Sequence, residues 1–185
     1  SEIDKARDEV RKNSDEMRKI IERHREKVED NSRRMKETVR RVEEEIERII
    51  REIEELKKRG LPKEELRRRI EELVKEVEDR SEEHKRDLDR SNEELRRHSE
   101  EVKRRLDESN KRLDDKLREL ERRITDRRLR EELRRIAEEN KKTSDDLKKR
   151  LDRIDKENER TSEELKEEND RLLEKLRRAA DRVKR

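Results

Sequence analysis

The 185-residue chain contains no cysteine and no aromatic residue, and it has a single glycine and a single proline. Without cysteine there is no disulfide, no thiolate nucleophile and no sulfur-ligated metal. Without Phe, Trp or Tyr there is no platform on which a nucleic-acid base could stack. Hydrophobic residues make up only 23% of the sequence, against about 45–50% in an ordinary globular domain. So little apolar volume cannot fill a rounded core. No apolar run approaches the roughly 18 residues of a transmembrane helix, and there is no signal-peptide core. A charge of one sign is missing too: 60 Lys and Arg face 57 Asp and Glu, for a net charge of +3. The two signs are interleaved along the chain, so no stretch offers the uniformly basic face that nucleic acid or an anionic membrane would require. Two possibilities survive: a disordered polyampholyte, or long helices that bury a narrow seam.

Periodicity separates them. The strong breakers lie together in Arg59-Gly60-Leu61-Pro62, where glycine suits the left-handed position after one helix and proline the first turn of the next. A second joint falls at Ile124-Thr125-Asp126, with Thr125 or Asp126 as helix cap. Three segments result, 2–58, 62–124 and 126–185, each about 85–90 Å long if helical. Short joints force consecutive helices to run antiparallel. Apolar residues recur every 18 positions: Val10, Val28 and Ile46; Ile70, Leu88, Leu106 and Ile124; Leu129, Leu147, Leu165 and Val183. Eighteen residues in five turns is the period of a straight helix, whereas a strict heptad imposes a left-handed supercoil. The sequence thus predicts an all-α, single-chain, up-down-up bundle of three long, nearly straight helices, forming one rod-like domain over residues 1–185 with more than 85% helix.

Polar residues interrupt the seam at the same spacing. Asn13-Ser14 and Asn31-Ser32 are 18 apart, as are Ser91-Asn92 and Ser109-Asn110, and Thr143-Ser144 and Thr161-Ser162. Antiparallel folding brings Asn13-Ser14 level with Ser109-Asn110 and Thr143-Ser144. It brings Asn31-Ser32 level with Ser91-Asn92 and Thr161-Ser162. Amides and hydroxyls both donate and accept, so each cross-section is a candidate hydrogen-bond layer. The same register groups Thr38, His84 and Asn169, and sets His24 close to His98 and Ser99. Ser81, Asn140 and Asn158 are further polar seam positions.

The copied polar layers, the matched helix lengths, the Glu, Lys, Arg and Asp surface and the Gly60-Leu61-Pro62 loop resemble de novo designed helical bundles with buried hydrogen-bond networks. The resemblance runs from Ser1 to Arg185. It implies a synthetic scaffold, soluble and produced in the cytoplasm of an expression host, in which apolar layers supply burial and polar layers supply specificity. It implies no catalytic residues and no cofactor. Ser1 in place of Met agrees with a leader or tag cut away.

The chemical readings are weaker. His84 and His98 are 14 residues apart, about 21 Å along one helix, too far to share a metal ion. No His-x-x-x-His or Glu-x-x-His spacing is present. Serines and acids near histidine are expected by chance at 63% charged residues, so a Ser–His–acid triad has no specific support. Runs such as Glu43-Glu44-Glu45 and Arg67-Arg68-Arg69 sit among opposite charges and read as solvated helix faces. The chain is expected to need no partner and to be monomeric, neither binding nucleic acid nor entering a membrane. The alternative is a self-assembling module that contacts other copies through Ile21, Val39, Ile50, Val74 and Leu173, which lie beside the main seam and could equally widen the core.

Overall fold

The computed structural model describes all residues from 1 to 185. It contains three α-helices and no strand: α1 (Glu2–Lys58), α2 (Lys63–Arg123) and α3 (Arg127–Lys184). Together they take in 95% of the chain. Their ends fall within a residue or so of those expected, and each end has a local cause. At the start of α1, Ser1 Oγ accepts a hydrogen bond from the Asp4 amide (3.3 Å), and Glu2 and Asp4 place negative charge at the positive end of the helix dipole. Lys57 and Lys58 do the converse at its end. Gly60 follows with φ +68°, a left-handed conformation that glycine adopts without a Cβ penalty. The Pro62 carbonyl accepts from the Leu66 amide (2.9 Å), so proline sits just before α2 rather than in its first turn. Asp126, not Thr125, caps α3: its Oδ1 accepts from the Arg128 amide (2.9 Å). No acid lies in the first turn of α3, so the Asp126 carboxylate is the negative charge at that terminus.

The chain divides into two compact units. The first comprises residues 1–28 and 94–157, the second residues 29–93 and 158–185. Each draws on all three helices. Within the first unit, one apolar cluster contains Ile3, Val10, Leu113, Leu117, Leu133 and Ile136. Another contains Met17, Ile20, Ile21, Val28, Val102, Leu106, Leu147, Leu151 and Ile154. The second unit has a single larger cluster, built around Ile46, Ile53, Ile70, Val77, Leu172 and Leu176. The seam positions read from the 18-residue spacing mostly fill these clusters. Leu129 does not: in the first turn of α3 it is 38% exposed, the only large hydrophobic residue so exposed.

Antiparallel packing appears directly in the side-chain pairs. Lys116 on α2 meets Glu9 on α1 (3.5 Å), and Lys103 on α2 meets Asp152 on α3 (3.0 Å). In the second unit Lys166 on α3 meets Asp89 on α2 (2.6 Å). These exposed pairs are worth only tenths of a kcal/mol each. They mark the register; the apolar clusters supply the stabilisation.

Candidate functional site

The polar residues that turn inward form small hydrogen-bonded groups, and the largest spans all three helices of the first unit. His24, on α1, is fully buried. Its Nδ1 lies 2.8 Å from Nδ1 of His98 on α2, and its Nε2 lies 2.8 Å from Oδ1 of Asp155 on α3. The other carboxylate oxygen of Asp155 accepts from the hydroxyl of Ser99, one residue beyond His98. The imidazole planes lie within 16° of each other with centroids 5.1 Å apart, so the rings meet edge to edge through their Nδ1 atoms.

Proton placement follows from what each atom can do. Both oxygens of the Asp155 carboxylate accept, so His24 Nε2 carries a hydrogen. A neutral His24 then has only a lone pair at Nδ1, which accepts from Nδ1–H of His98. Burial pushes His98 below the ordinary imidazole value, Lys27, His24 and Arg105 push it the same way, and Glu101 opposes them. Sequence reasoning had brought His24, His98 and Ser99 to one level, but it missed Asp155. The available signal was its place directly after the buried Ile154 and level with Ser99; in so charged a sequence, one inward-facing acid is hard to distinguish from the solvated ones.

The layer expected from Asn13-Ser14, Ser109-Asn110 and Thr143-Ser144 resolves into two separate pairs. The Ser109 hydroxyl donates to Asn13 Oδ1. Asn110 Oδ1 instead accepts from Asn140 Nδ2 (2.7 Å), one turn before Thr143 on α3. Ser14 and Ser144 are buried, yet the Ser144 hydroxyl has no hydrogen-bond partner. Thr143 is half-buried.

In the second unit, Asn92 and Ser162 hold one another through two bonds, Asn92 Nδ2 to Ser162 Oγ (3.0 Å) and Ser162 Oγ to Asn92 Oδ1 (3.2 Å). Asn158 adds a longer contact to Asn92 Oδ1 (3.4 Å). Asn31 belongs to this level by register and is 2% exposed, but neither its amide nitrogen nor its oxygen has a partner. Ser32, Ser91 and Thr161 are half-buried around it. Thr38, His84 and Asn169, grouped by register, make their hydrogen bonds to other residues where such bonds are present. Asn169 Nδ2 donates to Ser81 Oγ (2.5 Å), one turn from His84. Thr38 donates to the Arg34 carbonyl of its own helix (3.0 Å). Thr38, His84 and Asn169 do line one cavity of about 20 Å³, together with Met35, Leu88 and Leu165. That is room for about one water molecule.

No group of three or more His, Asp or Glu side chains has a metal-holding arrangement. His24 spends both ring nitrogens on protein partners. Ser99 places its hydroxyl on a carboxylate rather than on an imidazole, so it is not set up as an activated nucleophile. No helix is long and apolar enough to cross a membrane.

No protein-family model and no curated protein matches the chain. Among solved structures it is similar to one described as a "Computationally designed three helix bundle", with a TM-score of 0.61 and 24% identity over 99% of this chain and 89% of the other. Element order, antiparallel pairing and this likeness agree: the chain has the fold of a three-helix bundle.

Proposed function

We propose that the chain is a designed, rigid structural scaffold: one three-helix bundle over residues 1–185, without enzymatic activity and with no cofactor or obligatory partner. The observation that carries this reading is the repetition of inward-facing amides and hydroxyls at 18-residue spacing, at Asn13 and Asn31 on α1 and at Asn92 and Asn110 on α2. A catalytic or binding site needs its special residues once; copies of a cross-section suit a repeated device for fixing helix register. Sliding one helix by a turn would set amides against leucine and isoleucine, and each stranded polar group costs about 1–3 kcal/mol. Likeness in fold to a computationally designed bundle supports the same reading.

The second reading is a self-assembling module. Its proposed contact residues are largely enclosed within their own units: Ile21 is 0% and Leu173 6% exposed, while Val39, Ile50 and Val74 pack against the second unit's cluster. This favours a monomer, because single leftover apolar residues make no interface. Light scattering at two concentrations separates the two. A mass near 23.1 kDa at both concentrations is expected for the monomeric scaffold, and a mass that climbs toward twice that value would overturn it.

A further inference from the structure

We propose that His24, His98, Asp155 and Ser99 form a proton-sensitive latch, in which the contact between the two imidazoles tolerates a hydrogen on only one of the facing nitrogens. The geometry carries this. The two Nδ1 atoms stand 2.8 Å apart, a hydrogen-bond distance that needs one donor and one acceptor. A first extra proton can be accommodated: it enters at the free Nε2 of His98, while one hydrogen still lies between the two Nδ1 atoms and His24 still donates through Nε2 to Asp155. A second extra proton makes both Nδ1 atoms donors. Two N–H groups then point at each other beside a fully buried ring, and the contact must open.

The surroundings decide which way the linkage runs. From α1, His98 faces His24 and Lys27; on its own helix it faces Glu101 and Arg105. From α3 the cluster faces the Asp155 carboxylate, which reaches His98 only through His24 and Ser99. Cations and burial outweigh the one acid at His98, which therefore titrates below the unfolded imidazole value of about 6.5. The sign is fixed by proton counting. Above pH 6.5 the His98 ring is neutral in both folded and unfolded chains, and the full contribution is present. As pH falls through 6.5, the unfolded chain binds a proton that the folded chain resists, so stability declines until the folded midpoint is passed. Each pH unit between the two midpoints raises the unfolding equilibrium constant by up to about tenfold.

The experiment is urea denaturation of the full chain at pH 7.5 and pH 5.2, for the parent, His98→Asn and His84→Asn. The amide of His98→Asn can still meet His24 but cannot titrate. The unfolding constant is expected to rise at the lower pH by the same factor in the parent and in His84→Asn, and to change little in His98→Asn. Equal pH dependence in the parent and His98→Asn would overturn the latch, as would loss of that dependence in His84→Asn. Should His98→Asn fail to fold, ¹⁵N NMR of the parent imidazoles decides instead. His98 is expected to titrate below 6.5 with its Nδ1 hydrogen-bonded to His24, and a midpoint at or above 6.5 would contradict the proposal.

Discussion

Ile46→Ala is expected to destabilise the chain by about 2–5 kcal/mol, the usual cost of removing a large aliphatic side chain from a closed core. Ile46 is 0% exposed and lies in the second unit's cluster with Ile53, Ile70, Leu172 and Leu176. Truncation there removes three buried carbons and leaves a cavity that cannot fully collapse, because all three helices line it. A narrow seam has few such residues, so each carries a larger share of the total than in a broad core. Surface changes give the contrast: Arg33, 73% exposed, pairs only with Asp30 one turn away, and Arg33→Ala should shift stability by less than about 0.5 kcal/mol. Urea denaturation of the two variants checks both. Equal effects would mean that the charged surface rather than the seam holds the fold.

The second large effect has the opposite sign. Replacing Asn13, Ser109, Asn110 and Asn140 together with leucine, isoleucine or valine chosen to fit the available volume should stabilise the chain by about 1–4 kcal/mol, from about 0.8 kcal/mol per added buried CH₂ with the polar pairs themselves contributing little net. That corresponds to a rise of several degrees in melting temperature. The reason is an asymmetry. Two buried polar groups that satisfy each other contribute little beyond what water gave them in the unfolded chain, whereas apolar side chains at the same places add burial. Removing one partner alone does the reverse. Asn13→Ala leaves the Ser109 hydroxyl without its acceptor, at a cost of about 1–3 kcal/mol. Thermal denaturation by circular dichroism measures both variants. A lower melting temperature for the fully apolar layer, without aggregation, would mean that the polar pairs supply net stability.

How much of this was legible beforehand varies with the kind of question. Helix boundaries were, because Gly60, Pro62 and the Thr125-Asp126 joint act through local backbone chemistry. So was the level at which His24 meets His98, Asn13 meets Ser109 and Asn92 meets Ser162, since an 18-residue spacing fixes both the face and the height of a side chain on a helix. Partner choice within a level was not. Asn110 bonds Asn140 rather than Thr143 or Ser144, and Asn169 bonds Ser81 rather than Thr38 or His84. Each difference is one helical turn, a distance that side-chain rotamers span and that register arithmetic does not resolve. Asp155 escaped for a different reason: its carboxylate is held by partners on two other helices, a buried imidazole on α1 and a hydroxyl on α2, which its own stretch of sequence does not reveal. Leu129 shows the limit of periodicity in the other direction. It keeps the seam spacing, yet in the first turn of α3 it stays exposed.

Antiparallel helices locked in one register leave a signature that spin labels on facing residues can read. The chain has no cysteine, so labels go only where cysteines are introduced. Glu9 and Lys116 face each other across α1 and α2 at 3.5 Å and are both exposed. With one label at Glu9→Cys, the strongest dipolar coupling is expected for a second label at Lys116→Cys. Labels at Arg105→Cys or Arg123→Cys should couple more weakly, being displaced along α2 by about 16 Å and 10 Å at 1.5 Å per residue. A single narrow distance distribution that is shortest for the 9–116 pair is the predicted result. A shorter distance to position 105 or 123, or a broad distribution for 9–116, would contradict the account.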